Sequence, residues 1–413
     1  MGTNTLRTSA ERAPAWTMLG GFLRVRLTGR GRRPRRPAPP PSIERVQNSP
    51  LLALHRERNA TVAGGAAPLV LAFADVPAEY RNARDGAALF DQTERGAVEL
   101  RGADAASFLH RLTANEVRKL GAGQGVRNLL LSAKGKVLFD FDLCVDSERL
   151  LLSTQPGQAS ALLKALDMYL FSEKVALADR SAEHAPLALC GPAALDTVAR
   201  VCGAAAPALP YHWTLGQFAG APARITRQPV AGSDGVRVDV GPHHVAALWQ
   251  ALVTAGATPA GRIAYDCLRV EAGWAEPGDD IDENVYPQEA RLERAFALDK
   301  GCYIGQEVVA KIDTYGGLNK RLVALSVDHD NPVPRGTRLW REDGGEWRDL
   351  GVCTSWAYSF VLDTGLVLAY VKRRHQALAG RFMLGDPQQP LGQATVVPLP
   401  VRPDALAVTG EFE

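Results

Sequence analysis

The stretch from Val126 to Ser153 constrains the fold more than any other part of the chain. Three apolar segments, Val126 to Leu131, Val137 to Val145 and Leu150 to Ser153, are separated only by two short polar turns. These are Ala133-Lys134-Gly135-Lys136 and Asp146-Ser147-Glu148-Arg149. Successive strands joined so tightly indicate an antiparallel meander. Val98 to Leu100 reads as a further strand. Ala103 to Leu120 has near-helical apolar spacing, with Asp104 placed to cap it. A helix over Gln158 to Leu170 and a strand over Lys174 to Ala178 follow.

A second unit has the same grammar. Leu187 to Cys190 reads as a strand, and Gly191-Pro192 opens a helix over Ala193 to Val201. Strands at Ala223 to Thr226 and Val236 to Val240 lead into a helix over His243 to Ala255. Leu51 to Arg58 reads as a short helix ahead of both. Helices covering antiparallel strands give the α+β class. From Leu322 onward the pattern changes to short strands at Leu322 to Val327, Arg338 to Arg341, Leu350 to Ser355, Leu366 to Val371 and Ala394 to Val397, punctuated by Gly and Pro. That favours a small β-barrel. The expected organisation is therefore a leader over residues 1–47, an α+β body over 48–318 and a barrel over 319–413.

Composition separates the leader from the rest. The 413 residues are 46% apolar and 22% charged, ample for a buried core. Residues 1–45 hold ten Arg, no Lys and two acids, a net +8 against +2 for the whole chain, so the remainder carries −6. A mildly acidic body is not a general nucleic-acid surface, and no direct nucleic-acid partner is expected. Arg30 to Pro41 has no route to helix or strand. The leader reads as a disordered extension, or alternatively as an Arg-rich transit segment. No apolar run is long enough to span a membrane. Six cysteines without a CxxC pair suit a reducing compartment and fit neither a disulfide framework nor a zinc ribbon.

The sharpest chemical signal is Lys300-Gly301-Cys302-Tyr303-Ile304-Gly305-Gln306-Glu307. A cysteine in a glycine loop before a helix feels the positive end of the helix dipole. Lys300 adds a cation, and both favour a reactive thiolate. The commoner fate of a free cysteine is that of a small buried hydrophobe. Other candidates are weaker. Gly121 to Gly125 follows a helix and reads as a cap and turn. His243-His244 point about 100° apart and make a poor metal pair. Asp279 to Glu283 lacks calcium-loop spacing and reads as a solvated loop. No metal site is expected.

Lys300 to Glu307 resembles the signature of the YgfZ-type folate-binding proteins, relatives of the glycine-cleavage T-protein. Leu89 to Thr93, Phe108 to Gly125, Leu187 to Pro192, Cys267 to Gly273 and Pro287 to Ala290 are similar to segments of that superfamily. Gly351 to Ser355 and Leu368 to Val371 resemble its barrel. The resemblance implies a T-protein-like body of two ferredoxin-like, antiparallel-sheet units with helices, plus the small C-terminal barrel. It implies tetrahydrofolate held between the two halves. The function implied is that of a non-enzymatic accessory factor for assembly or maintenance of iron–sulfur proteins, with only an indirect link to tRNA modification. The partners implied are iron–sulfur proteins or their assembly machinery. The location implied is the bacterial cytoplasm, or the mitochondrial matrix if the leader is a transit peptide.

The departures shape the alternatives. The T-protein carries paired aspartates where this chain has Phe139-Asp140, a tyrosine at the place of Arg127, and a glutamate at the place of Ser233. Loss of these groups removes means of holding and protonating a substrate amine. One alternative remains a tetrahydrofolate-dependent aminomethyl or methyl transferase, and a second is a scaffold without folate. Asp140 and Arg269 are the expected ligand contacts, with Arg127 and Glu271 beside them. Arg269 and Glu271 alternate on a strand-like segment and so are expected to share a face, a carboxylate for the aminopyrimidine edge and a guanidinium for the glutamate tail. Cys302, assisted by Lys300, is expected as an exposed thiol at the mouth of that pocket.

Overall fold

The computed structural model describes residues 49–65 and 68–406. The leader expected over residues 1–47 lies outside them. The chain begins with α1 (Leu52–Glu57), the hairpin β1 (Thr61–Ala63) and β2 (Leu69–Ala72), α2 (Val76–Asp85) and β3 (Ala88–Asp91).

The first sheet then forms almost without interruption. It contains β4 (Gly96–Arg101), α3 (Ala105–Leu112), β5 (Gly125–Leu131), β6 (Val137–Val145), β7 (Arg149–Thr154), α4 (Ala159–Asp167) and β8 (Ala176–Asp179). Its strands lie in the order β5-β6-β7-β4-β8, all antiparallel. The expected meander is thus the β5-β6-β7 edge. Strand residues alternate between two faces. Leu100, Phe141, Leu143 and Leu152 pack under Phe108 and Leu109 of α3 and Leu162 of α4. Asp140 and Asp142 project from the opposite face of β6.

The second sheet reuses β3. After it come β9 (Ala185–Cys190), α5 (Ala194–Cys202), β10 (Trp213–Phe218), β11 (Ala221–Arg227), β12 (Gly235–Val240), α6 (Pro242–Thr254) and β13 (Thr258–Pro259). The order is β10-β11-β12-β9-β3-β13, with only β13 running parallel to its neighbour. Leu187, Leu189, Val236 and Val238 face Trp249 and Leu252 of α6.

Two further helices, α7 (Arg262–Ala272) and α8 (Gln306–Tyr315), precede the barrel. The barrel comprises β14 (Lys320–Val327), β15 (Arg338–Asp343), β16 (Glu346–Ser359), β17 (Thr364–Lys372), β18 (Arg381–Asp386) and β19 (Gln389–Val397), closed in the order β14-β17-β16-β15-β18-β19. Leu322, Leu366, Leu368 and Tyr370 share a buried cluster with Tyr80 of α2 and Leu268 of α7. Body and barrel thus share one core.

Several expectations need correction. The helix expected over Ala103 to Leu120 stops at Leu112, because Thr113 turns to extended backbone and bridges Leu130. Asn128 Oδ1 then accepts the Asn115 N–H, a side-chain bond that competes with helix continuation. Asp104 makes no cap hydrogen bond and instead accepts the Lys174 N–H. Cys267 to Gly273, read as a strand, is the last turns of α7, closed by Gly273 in the left-handed region. Every residue from Cys267 to Ala272 is buried, so the helix shows no single apolar stripe to betray its period. Also outside the expectations are α2 and strands β1, β2, β3, β10, β13 and β18.

Candidate functional site

The polar faces of the two sheets and the start of α7 surround connected hollows. One of them, open to solvent at its mouth, has walls of Phe73, Phe90 and Tyr265. Gln92, Arg95, Gln155, Tyr265 and Glu276 also line an adjoining polar hollow, which extends to Arg127, Asp140, Gln228 and Trp274. Aromatic walls beside a few polar groups are the kind of lining a small organic ligand uses. Two buried amide oxygens here, Gln92 Oε1 and Gln228 Oε1, have no hydrogen-bond partner among the described residues. Buried acceptors are normally satisfied, so both are available to donors of a ligand.

Asp140 is buried on β6, and Arg127 on the neighbouring strand grips it with both ends of its fork. Nε lies 2.9 Å from Oδ1 and Nη2 lies 2.5 Å from Oδ2. The guanidinium also sits 4.8 Å above the Trp274 ring. Burial disfavours the Arg127 charge, but Asp140 outweighs it and holds the proton more tightly than usual. Asp142, two residues on and on the same face, accepts from Arg95 at 3.3 Å and Arg237 at 3.1 Å. The aromatic-walled hollow carries one group poised near neutrality. Burial, reinforced by the Asp91 charge, pushes the Glu94 carboxyl up to about 7.

Of the four expected ligand contacts, Arg127 and Asp140 come together on this wall. Arg269 and Glu271 do not join them. Two residues apart on α7, they point about 200° apart instead of sharing a face. Arg269 is 3% exposed and bound to Asp266 at 2.5 Å, Asp280 at 2.8 Å and Ser355 Oγ at 3.0 Å. Glu271 accepts from Tyr80 at 2.6 Å, Ser359 at 2.7 Å and the Val361 N–H at 3.1 Å. Both are spent in joining α7 to its surroundings. Asp279 and Asp280, expected in a solvated loop, instead receive Arg262 and Arg269, and Asp280 is buried. Ser233 accepts a hydrogen bond from Arg402. No cluster of metal-ligating side chains occurs among the described residues.

Cys302 is exposed, whereas the other five cysteines are buried. It lies in the loop before α8 and is not among the residues lining the central hollows, so the expectation of a thiol at the cavity mouth is not met. Lys300 is buried, and its ammonium donates at 2.5 Å to the carbonyls of His110 and Thr113, at the end of α3. Burial draws its pKa down to about 8. Tyr303 is buried, Gln306 opens α8, and Glu307 is exposed and paired with Lys311 at 2.6 Å. Gly301 meets open space.

Gly305 is different. Its φ is +82°, and a Cβ there would sit 2.6 Å from the Ser132 carbonyl and 3.0 Å from Gly135 Cα. The cysteine loop and the β5–β6 turn thus interlock through two glycines. That fixes the loop to the hairpin that carries Asp140. The remaining cavity residues, Gln92, Glu94, Arg95, Tyr265, Trp274 and Gln228, were not anticipated as a site. Gln92 and Trp274 sit in or beside segments already singled out, but nothing local marks their side chains as facing one space.

Comparisons with known proteins agree with this fold. Residues 61–300 match the family described as the GCVT N-terminal domain, and residues 320–401 match the glycine cleavage T-protein C-terminal barrel domain. An aminomethyltransferase of Rubrobacter xylanophilus is 30% identical over 86% of this chain and 94% of its own. One of Herpetosiphon aurantiacus is 29% identical over 86% of this chain and 98% of its own. The crystal structure of glycine cleavage system aminomethyltransferase T from Bartonella henselae superposes with a TM-score of 0.77 at 23% identity, covering 87% of this chain and 99% of that one.

Proposed function

This chain belongs to the glycine cleavage T-protein family, and on that footing we propose that it is a folate-binding accessory factor for iron–sulfur proteins. The observation that carries folate binding is the pair of unpartnered acceptors, Gln92 Oε1 and Gln228 Oε1, on two residues that line one cavity with aromatic walls. A pterin edge presents the N–H donors these oxygens lack, and Tyr265 and Trp274 offer flat faces to its ring. When bound, a reduced folate supplies ring nitrogens able to carry a one-carbon unit.

The Arg127–Asp140 pair favours binding over transfer. Both oxygens of Asp140 are occupied by the Arg127 guanidinium, so neither is free to hold a substrate amine. The iron–sulfur role rests on the Lys300 to Glu307 signature, whose exposed thiol stands on a rigid loop. The partners on this reading are iron–sulfur proteins or their assembly machinery in the cytoplasm, with no direct nucleic-acid contact. Among the described residues no helix is long and apolar enough to cross a membrane.

Calorimetry with tetrahydrofolate tests the binding step. We expect a Kd on the order of 1–100 µM, weakened about tenfold by Gln92→Leu or Gln228→Leu, the worth of roughly one buried hydrogen bond. No heat at millimolar ligand would leave only a scaffold. The cellular step is tested by deleting the gene and measuring iron–sulfur enzyme activity. Rescue by the wild type but not by Cys302→Ala is expected, and undiminished activity in the deletion strain would overturn the role.

A second reading, aminomethyl transfer, is favoured by curated relatives that carry the aminomethyltransferase name over 86% of this chain. Formation of a methylene derivative from tetrahydrofolate and an aminomethyl donor, catalysed by the purified protein, would establish it.

A further inference from the structure

A separate hollow lies between the two sheets, walled by Leu151 and Ser153 on one side and Pro186 and Thr226 on the other. Three guanidinium groups converge on it, from Arg95, Arg224 and Arg237, against two carboxylates, Asp142 and Asp239. Asp142 is taken by Arg95 and Arg237, which also share the Ser153 hydroxyl oxygen at 3.1 and 3.2 Å. Asp239 is taken by His184 Nδ1 at 2.5 Å and by the Ala185 N–H at 3.2 Å.

Arg224 is left over. Its nearest carboxylate oxygen is 3.8 Å away and already engaged, and its side chain is 11% exposed. The buried Nε–H has no acceptor among the described residues. The guanidinium leans on the Trp213 ring at 5.1 Å, which supplies no counter-charge. Arg224 is therefore the most weakly compensated of the three, with Asp239 at 3.8 Å and the field of Asp146 but no hydrogen bond to either, in a place shielded from solvent. A weakly compensated buried charge is costly, and a mobile counterion is the simplest relief.

We infer that this hollow is a binding site for one small monovalent anion, held by Arg224 with Arg237 and the Ser153 hydroxyl. The space admits roughly one water-sized body, so chloride or bromide fits and a phosphate does not. Ser153 accepts both arginines through its oxygen and keeps its own proton for the anion. The site is distinct from the central cavity but not isolated from it. Arg95 lines both, so an anion on one side steadies the residue that faces the other.

The test uses the full chain in sodium chloride and in sodium gluconate at equal ionic strength. Chloride is expected to raise the melting temperature by about 2–4 °C at ~100 mM and to saturate there. Arg224→Leu is expected to melt at the same temperature in both salts. Equal melting of the wild type in the two salts, which a trapped water would give, overturns the inference. So does an undiminished chloride response in Arg224→Leu. Should that variant fail to fold, crystals of the wild type soaked in bromide decide the matter. An anomalous peak beside Arg224 supports the site, and no peak there refutes it.

Discussion

Replacing Arg127 with methionine should cost the protein about 3–5 kcal/mol. The native guanidinium places two hydrogen bonds on Asp140 at 2.9 and 2.5 Å, with the side chains only 11% and 5% exposed. Methionine keeps most of the volume and much of the contact with Trp274 but leaves a carboxylate with no cation in a closed space. Breaking one side of a buried pair has that order of cost. Removing both charges is a different perturbation. The double variant Arg127→Met with Asp140→Asn leaves neither charge of the pair, so it should recover most of the loss and give a coupling energy of about 3 kcal/mol in the cycle. Urea denaturation followed by circular dichroism reads all four proteins, with midpoints compared at a common slope. A single-variant loss below about 1 kcal/mol would show that water screens the pair. Costs that simply add would show that the two residues act separately. Either result removes the argument that Arg127 keeps Asp140 from holding a substrate amine.

The other expectations are independent of that pair. Gly305→Ala should destabilise by about 2–4 kcal/mol, since its φ of +82° is combined with a 2.6 Å approach to the Ser132 carbonyl, while Gly301→Ala, at φ +101° in open space, should cost about 1 kcal/mol. Equal costs in thermal denaturation would discount the interlocked turns. Glu94 keeps its proton to about pH 7 in the folded chain against 4.5 for an ordinary glutamate, so the native state binds more protons in that window and stability falls as pH rises through it. Glu94→Gln should remove a slope on the order of 1–3 kcal/mol across that range, and parallel pH–stability curves for the two proteins would refute the assignment. Native protein should bind one equivalent of iodoacetamide quickly, at Cys302, with five more thiols reacting only after unfolding. A second fast thiol would contradict the packing.

The strands were legible where alternation is clean. Val137 to Val145 puts Phe141 and Leu143 into one core while Asp140 and Asp142 face away, and the turns on either side fix its partners. The barrel showed itself by even spacing, except at β18, where Arg381 to Asp386 has Gly385 in a short, weakly apolar run. The failure at α7 has a physical cause. A helix buried on every side has no polar stripe, so Arg269 and Glu271 mimicked a strand through local alternation alone. The site was legible only in part. Arg127 and Asp140 face each other across adjacent strands, within reach of a pattern argument. Gln92, Gln228 and Trp274 meet them only through tertiary packing over nearly two hundred residues of chain. Arg402, which closes the network around Ser233 and Glu271, gives no local sign of being buried.

Because α7 sends one charge toward Ser355 and the opposite charge toward Ser359, it works as a two-pronged rivet between halves of different architecture. A gene cut after residue 318 would take Ser355 from Arg269 and Ser359 from Glu271 and bare the apolar surface that Leu268 shares with the barrel, and its product should aggregate. The same reasoning limits what recombination between relatives can swap. A barrel transplanted from another member must bring hydroxyls at both positions, so the C-terminal cassette and the helix beneath it are expected to travel through evolution as a matched set.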